Sequence, residues 1–248
     1  MPMQQLPLAI RLRERAVFES FVPGPNLEAV ESLQALAAGH GAGVAWLSGT
    51  AGAGKSHLLQ AACALATRRG LTAAYLPLRQ LLPLGPEALS GWQQAHLVAV
   101  DEIESVAGEL MWEQGLFTLY RESQERGAAL VGAATEPPGR LPFALPDLAS
   151  RFAAATLLPL RPLGEAEQRE ALRLRAHARG LDLPEETALY LQRRFPRDLP
   201  TLYQLLDTID DAALQAQRRL TVPFIRDALE KREERAPSRK TSQTPAAG

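Results

Sequence analysis

Long apolar runs, cysteine pairs, internal repeats and an excess of charge are all missing from this sequence. No stretch approaches the roughly 20 apolar residues that span a bilayer. The N-terminal run Leu6-Pro7-Leu8-Ala9-Ile10 is too short for a signal-peptide core and meets Arg11, Arg13 and Arg15 at once. The single cysteine, Cys63, excludes a disulfide framework and points to a reducing compartment, so a protein with no membrane association, in the cytoplasm, is expected. A net charge of −1 over 248 residues provides no general field favouring nucleic acid, so DNA contact is expected only locally or through partners. At this length the chain can bury a sizeable core without staples.

What is present is a phosphate cradle. Gly49-Thr50-Ala51-Gly52-Ala53-Gly54-Lys55-Ser56 satisfies G-x-x-x-x-G-K-[ST], with the apolar run Val44-Ala45-Trp46-Leu47 entering it as a strand and His57 to Ala62 leaving it as a helix. Glycines let the backbone N–H groups turn inward, and the helix N-terminus adds partial positive charge, so a di- or triphosphate is held with little side-chain chemistry. Lys55 is expected to neutralise the β and γ phosphates, and the Ser56 hydroxyl to ligate Mg²⁺. Cys63 lies in the following helix, where a small buried apolar residue fits better than a reactive thiol.

Along the chain, residues 1–15 form an extended leader broken by Pro2 and Pro7. Asn26 is expected to cap a helix over Leu27 to Ala38 whose Val30, Leu33 and Ala37 face the core. Strands are expected at Val44–Leu47, Thr72–Leu76, His96–Val100, Ala128–Ala134 and Thr156–Leu160, with a long helix between the third and fourth. That alternation is an α/β fold with a five-stranded parallel sheet, ligand at the carboxyl ends of the strands, over residues 16–161. From there the pattern is helical only (Gly164–Arg179, Pro184–Arg194, Leu199–Arg218 and Pro223–Glu233), a small all-helical domain over 162–235. Residues 236–248 lack the apolar content to pack and are expected to be a disordered tail.

Asp101 ends a wholly apolar strand, so its carboxylate should emerge beside the phosphate loop and hold Mg²⁺ through water, with Glu102 next to it where a general base for hydrolysis would sit. Thr135 ends the fourth strand, either as a γ-phosphate or water contact or as a simple turn threonine. Arg151, at a short helical turn before the fifth strand, is by itself a surface arginine; its functional alternative is an arginine finger. Arg169, Arg173, Arg175 and Arg179 are interspersed with Glu165, Glu167 and Glu170, which suggests a solvated helix face rather than a DNA contact. In the leader, Leu6, Leu8 and Ile10 alternate behind Gln5, the spacing of an extended docking peptide as well as of a frayed end.

These residues together resemble the AAA+ domain of the DnaA family of replication proteins. The resemblance rests on the phosphate loop continuing as Lys55-Ser56-His57-Leu58-Leu59, on Phe18-Glu19-Ser20-Phe21-Val22-Pro23-Gly24-Pro25-Asn26, and on Pro146-Asp147-Leu148-Ala149-Ser150-Arg151. Leu181-Asp182-Leu183-Pro184-Glu185 and Arg218-Arg219-Leu220-Thr221-Val222-Pro223-Phe224 extend it to about residues 5–232. It implies a five-stranded AAA+ core and a helical lid with ADP or ATP at their junction, His57 among the nucleotide-binding positions, and Phe21, Val22 and Asn26 bordering the adenine. Gln5-Leu6-Pro7-Leu8-Ala9-Ile10 is similar to the peptide that docks in the DNA polymerase III sliding clamp (β subunit). Arg151 stands where the family keeps its arginine finger.

Regulatory members of that family use the finger to promote hydrolysis of ATP bound to DnaA and so restrain replication initiation, and this is the function the resemblance implies. The lid is expected to end the folded chain without a DNA-binding domain, so DNA is reached only through partners; homodimerisation is left open. Pro200 falls where the family's lid arginine is expected, with Arg197 as a substitute, a departure that favours bound ADP over turnover. The intact Lys55, Asp101 and Glu102 support the alternative, an autonomous AAA+ ATPase such as a helicase loader. A small-molecule kinase would need a basic substrate pocket that the sequence does not display.

Overall fold

The computed structural model describes residues 16–178, 180–194, 201–203, 206, 220–223 and 225–226. The leader peptide with Gln5, Leu6, Leu8 and Ile10, the lid residues Arg197 and Pro200, the expected tail, and most of the last two expected helices lie outside the described residues.

Five strands form one sheet: β1 (Gly43–Ser48), β2 (Ala73–Pro77), β3 (Leu97–Asp101), β4 (Ala129–Ala134) and β5 (Thr156–Pro159), in the order β2-β3-β4-β1-β5. Every pairing is parallel, with Ser48 opposite Ala134 and Val100 opposite Gly132. The helices are α1 (Leu27–Ala37), α2 (Lys55–Arg68), a single turn α3 (Leu78–Leu81), α4 (Leu110–Glu125), α5 (Pro146–Ala153), α6 (Glu165–His177) and α7 (Glu185–Arg194). Among the described residues no helix is long and apolar enough to cross a membrane.

The strands read as near-continuous apolar runs because both faces are covered, and the two-residue period sorts their side chains. Ala45, Leu47, Leu97, Ala99, Val131 and Ala133 face α1 and α2, packing on Val30, Leu33, Ala37, Leu58, Leu59 and Ala62. Trp46, Val98, Val100, Leu130 and Ala134 face the other way, onto Trp112, Leu116 and Leu119 of α4 and Leu148 and Phe152 of α5. Gly132 shares that second face. A Cβ there would come within 2.9 Å of both Trp46 and Ile103, so the missing side chain admits the buried indole. The indole N–H donates to the Glu136 carbonyl at 3.0 Å.

One local expectation gives way. Asn26 makes no side-chain cap on α1. Its amide N–H donates to the Arg161 carbonyl at 3.0 Å and its Oδ1 accepts from the Arg161 N–H at 2.7 Å, a pairing across 135 residues that a local capping rule does not see. The long helix after β3 starts only at Leu110, because Glu102 and Gly108 both take positive φ (58° and 96°) and close a short 3-10 turn, Ile103–Ser105, in between.

The chain divides into two compact units, Met1–Ala171 and Leu172–Gly248, the division falling within α6. In the second unit Leu172, Ala176, Leu183, Ala188 and Leu191 pack with Leu202, Leu206, Leu220 and Ile225. Two of its arginines are used within the unit: Arg173 pairs with Glu185 at 3.4 Å, and Arg175 lies 4.3 Å above the Tyr203 ring rather than on a purely solvated face.

Candidate functional site

The loop between β1 and α2 has the shape its glycines predict. Gly52 (φ 81°) and Gly54 (φ 101°) adopt backbone conformations that side chains resist, and Gly54 immediately precedes the first residue of α2. A Cβ on Gly54 would stand 2.6 Å from the Phe21 ring, and one on Gly49 2.9 Å from the Leu160 carbonyl, so neighbouring chain closes on the loop from two sides. Lys55 is buried, its Nζ donating to the carbonyls of Gly49 at 2.6 Å and Thr50 at 3.1 Å. Burial pushes its ammonium below the usual lysine range, while Glu104, Asp101 and Glu102 act the other way. A buried cation inside a glycine loop at a helix N-terminus fits a polyphosphate.

Asp101 ends β3 as expected and is 1% exposed. Its Oδ2 accepts from the Tyr75 hydroxyl at 2.8 Å and its Oδ1 from the Glu102 N–H at 2.9 Å. Glu102 is held with φ 58° and ψ 43°, the only non-glycine residue at positive φ among the described residues. A strained acid beside a phosphate loop is the kind of outlier that marks a working position. Its carboxylate pairs with Arg79 at 3.1 Å, and burial, with Asp101 adding to it, raises its pKa against the pull of Arg79. Among the described residues no group of three or more His, Cys, Asp and Glu side chains is placed to hold a metal. Ser56 and Asp101 are the residues that would hold a Mg²⁺ ion, with nucleotide phosphates and water completing its shell.

Thr135 sits at the exposed bend just past β4, one residue beyond the Ala134–Ser48 pair, and so borders Gly49 by register. Val22 is buried; Phe21 packs against Gly54 and, with ring centroids 5.6 Å apart, against His57. His57 Nε2 lies 2.9 Å from the Val17 carbonyl and 3.3 Å from Ser20 Oγ, tying the segment before α1 to the phosphate-loop helix. Arg151 is exposed on α5, which is anchored to the core by its buried Leu148 and Phe152. Among the described residues none pairs with its guanidinium.

Three residues at the site carry no motif. Tyr75, burial of which pushes its hydroxyl pKa up, hydrogen-bonds to Asp101 and also interacts with Ser56 and Gln60, linking the end of β3 to the start of α2. The clue was available only as a polar-tipped aromatic within an apolar strand. Arg79 lies on α3, where nothing in the sequence links it to Glu102. Glu104 has its Oε2 buried without a hydrogen-bond partner in the neighbourhood of Lys55.

A parallel sheet ordered β2-β3-β4-β1-β5, a phosphate loop leaving its β1 and an acidic pair ending β3 define an AAA+ P-loop protein. Residues 165–229 match the family described as Hda, lid domain. Domain III of the Thermotoga maritima replication initiation protein DnaA is similar at a TM-score of 0.75 and 20% identity, over 87% of this chain and 96% of that one. AMPPCP-bound DnaA from Aquifex aeolicus gives 0.66 and 19% (91% and 70%), and the Thermotoga maritima RuvB Holliday junction branch migration motor 0.59 and 18% (82% and 68%). At these identities the likeness establishes the fold. The chain therefore has an AAA+ fold like that of DnaA, and its residues 165–229 match an Hda-type lid.

Proposed function

We propose that this chain is a nucleotide-bound regulator that stimulates hydrolysis of ATP held by a DnaA-type initiator, with Arg151 as the arginine finger and the leader anchoring it to the DNA-loaded sliding clamp. In the cytoplasm this would return the initiator to its ADP form and restrain replication initiation. The observation that carries the reading is Arg151 itself: a guanidinium exposed on a helix whose other face is fixed to the core, in a chain whose own phosphate loop is complete. A rigidly presented cation is what stabilises charge developing on another molecule's transferring phosphate.

The chain's own nucleotide, ADP or ATP, would be held by the backbone of Gly49–Gly54 and by Lys55, with Mg²⁺ reached by Ser56 and by Asp101 through water. Thr135, His57, Phe21, Val22, Asn26 and Arg197 are assigned to its surroundings on the family resemblance. Two weak docks, clamp and initiator, would add through effective concentration rather than through new contacts.

The test is initiator-bound ATP turnover in the presence of clamp on DNA. Arg151→Ala should lower stimulation by about 10³-fold or more. Replacing Gln5 and Leu8 by alanine should remove only the clamp-dependent part. Undiminished stimulation by Arg151→Ala would end this reading. The intact Asp101–Glu102 pair supports a second one, intrinsic turnover, whose signature is ATP hydrolysis by the isolated chain that Glu102→Gln abolishes.

A further inference from the structure

Among the described residues of the first unit, Glu113 is the one carboxylate with no exposed surface, and it lies one turn into α4. Both its oxygens accept backbone N–H groups from elsewhere in the chain: Oε1 from Gly108 at 2.7 Å and Ala144 at 3.1 Å, and Oε2 from Leu145 at 2.6 Å. Burying a carboxylate is unfavourable unless such donors compensate, and an apolar side chain would fill an interior position at lower cost. Its donors therefore indicate what the charge is for. Gly108 closes the turn before α4, and Leu145 is the residue from which α5 starts, its carbonyl accepting the first helical N–H, that of Ala149.

We propose that Glu113 is a positioning residue for Arg151, fixing the rotation of α5 at its origin; this rests on the reading of Arg151 as an arginine finger. α5 is only eight residues long, and Arg151 sits six residues past Leu145. Each residue turns the helix by about 100°, so a slip of one residue at Leu145 would swing the guanidinium from solvent toward the position Phe152 occupies. The aromatic cluster resists tilt: Phe152 has Trp46, Tyr120 and Phe143 around it at centroid distances of 5.1, 6.2 and 5.8 Å. Those contacts are non-directional; the three hydrogen bonds of Glu113 set the register. Glu113 meets the end of the loop between β4 and α5 and makes no hydrogen bond to Asp101 or Glu102, which separates its role from theirs.

Glu113→Gln is nearly isosteric and leaves one acceptor oxygen, with an NH₂ facing an N–H donor. It should lower the maximal stimulated rate on the initiator about tenfold, leave the concentration of this chain giving half-maximal stimulation within about twofold, and leave nucleotide affinity unchanged. Amide hydrogen exchange should accelerate at Ala144, Leu145 and along α5 but not in β1–β4. Mere loss of folded protein would instead scale nucleotide binding and stimulation together. Phe143→Leu, which loosens the same loop with the carboxylate in place, should show the same rate-only loss and serves if Glu113→Gln does not fold. Measured beside Arg151→Ala, the outcomes separate. If Arg151→Ala abolishes stimulation while Glu113→Gln retains the full rate, or while Ala144 and Leu145 exchange as before, the positioning role is wrong and the finger stands. If Arg151→Ala retains stimulation, the finger reading fails and this inference with it.

Discussion

The two faces of the sheet are built from different materials. Toward α1 and α2 the core is largely aliphatic and rich in alanine, with Phe18 buried among the aliphatics, and β1 runs into the phosphate loop from which α2 leaves. Toward α4 and α5 it is aromatic, with Trp46, Trp112 and Phe152 buried and Tyr120 and Phe143 packed on them. The first face positions a binding loop whose groups are backbone; the second holds a short helix with one exposed guanidinium, which the proposed finger role requires to stay fixed. Small side chains permit close approach, and packed rings resist tilt.

Phe152→Ala should break the second face most severely. Emptying the centre of the cluster should cost about 3–5 kcal/mol of unfolding free energy, read by urea titration. In the folded fraction nucleotide affinity should change by less than about threefold if the faces divide the work as described. A parallel loss of affinity would contradict that division. Lys55→Ala is the converse: nucleotide affinity falling by about 30- to 150-fold, equivalent to about 2–3 kcal/mol, by calorimetric titration, with the unfolding midpoint of the nucleotide-free chain close to that of the parent. Gly54→Ala sharpens the claim that Phe21 closes on the loop. A side chain at φ 101° that also displaces the ring should cost about 1–3 kcal/mol and weaken nucleotide binding. Gly54→Ala combined with Phe21→Leu should recover part of the second loss and none of the backbone strain.

The smallest effect concerns Cys63. Burial pushes its thiol pKa up to about 12, so alkylation at pH 8 should be undetectable until the chain unfolds. Because the folded value is the raised one, the neutral thiol stabilises fully below the unfolded pKa of about 8.5. That contribution falls away as pH rises from there toward 12, a loss of stability that Cys63→Ala should lessen.

How much of this was legible beforehand follows sequence distance. The phosphate loop, the apolar strand ending in Asp101 and the faces of α1 depend on neighbours within a turn or two, and the residues announce them. Asn26 stands at the N-cap position of α1 as expected, but its side chain does not cap the helix because its partner, Arg161, lies 135 residues away. Glu113, with partners 31 and 32 residues on, belongs to no motif that the sequence displays. Tyr75 likewise meets Asp101 only once the sheet has formed. Arg151 is singled out only by family resemblance; its exposure and the ring cluster around Phe152 are contributions of the fold.

The central claim is that the chain's own phosphate loop and its exposed arginine serve different nucleotides, and one side-by-side measurement tests it most directly. With ATP preloaded on the initiator and clamp loaded on DNA, single-turnover hydrolysis should proceed at nearly the parent rate with Glu102→Gln and fall to the unstimulated rate with Arg151→Ala. Loss of stimulation in Glu102→Gln together with its retention in Arg151→Ala would contradict the account.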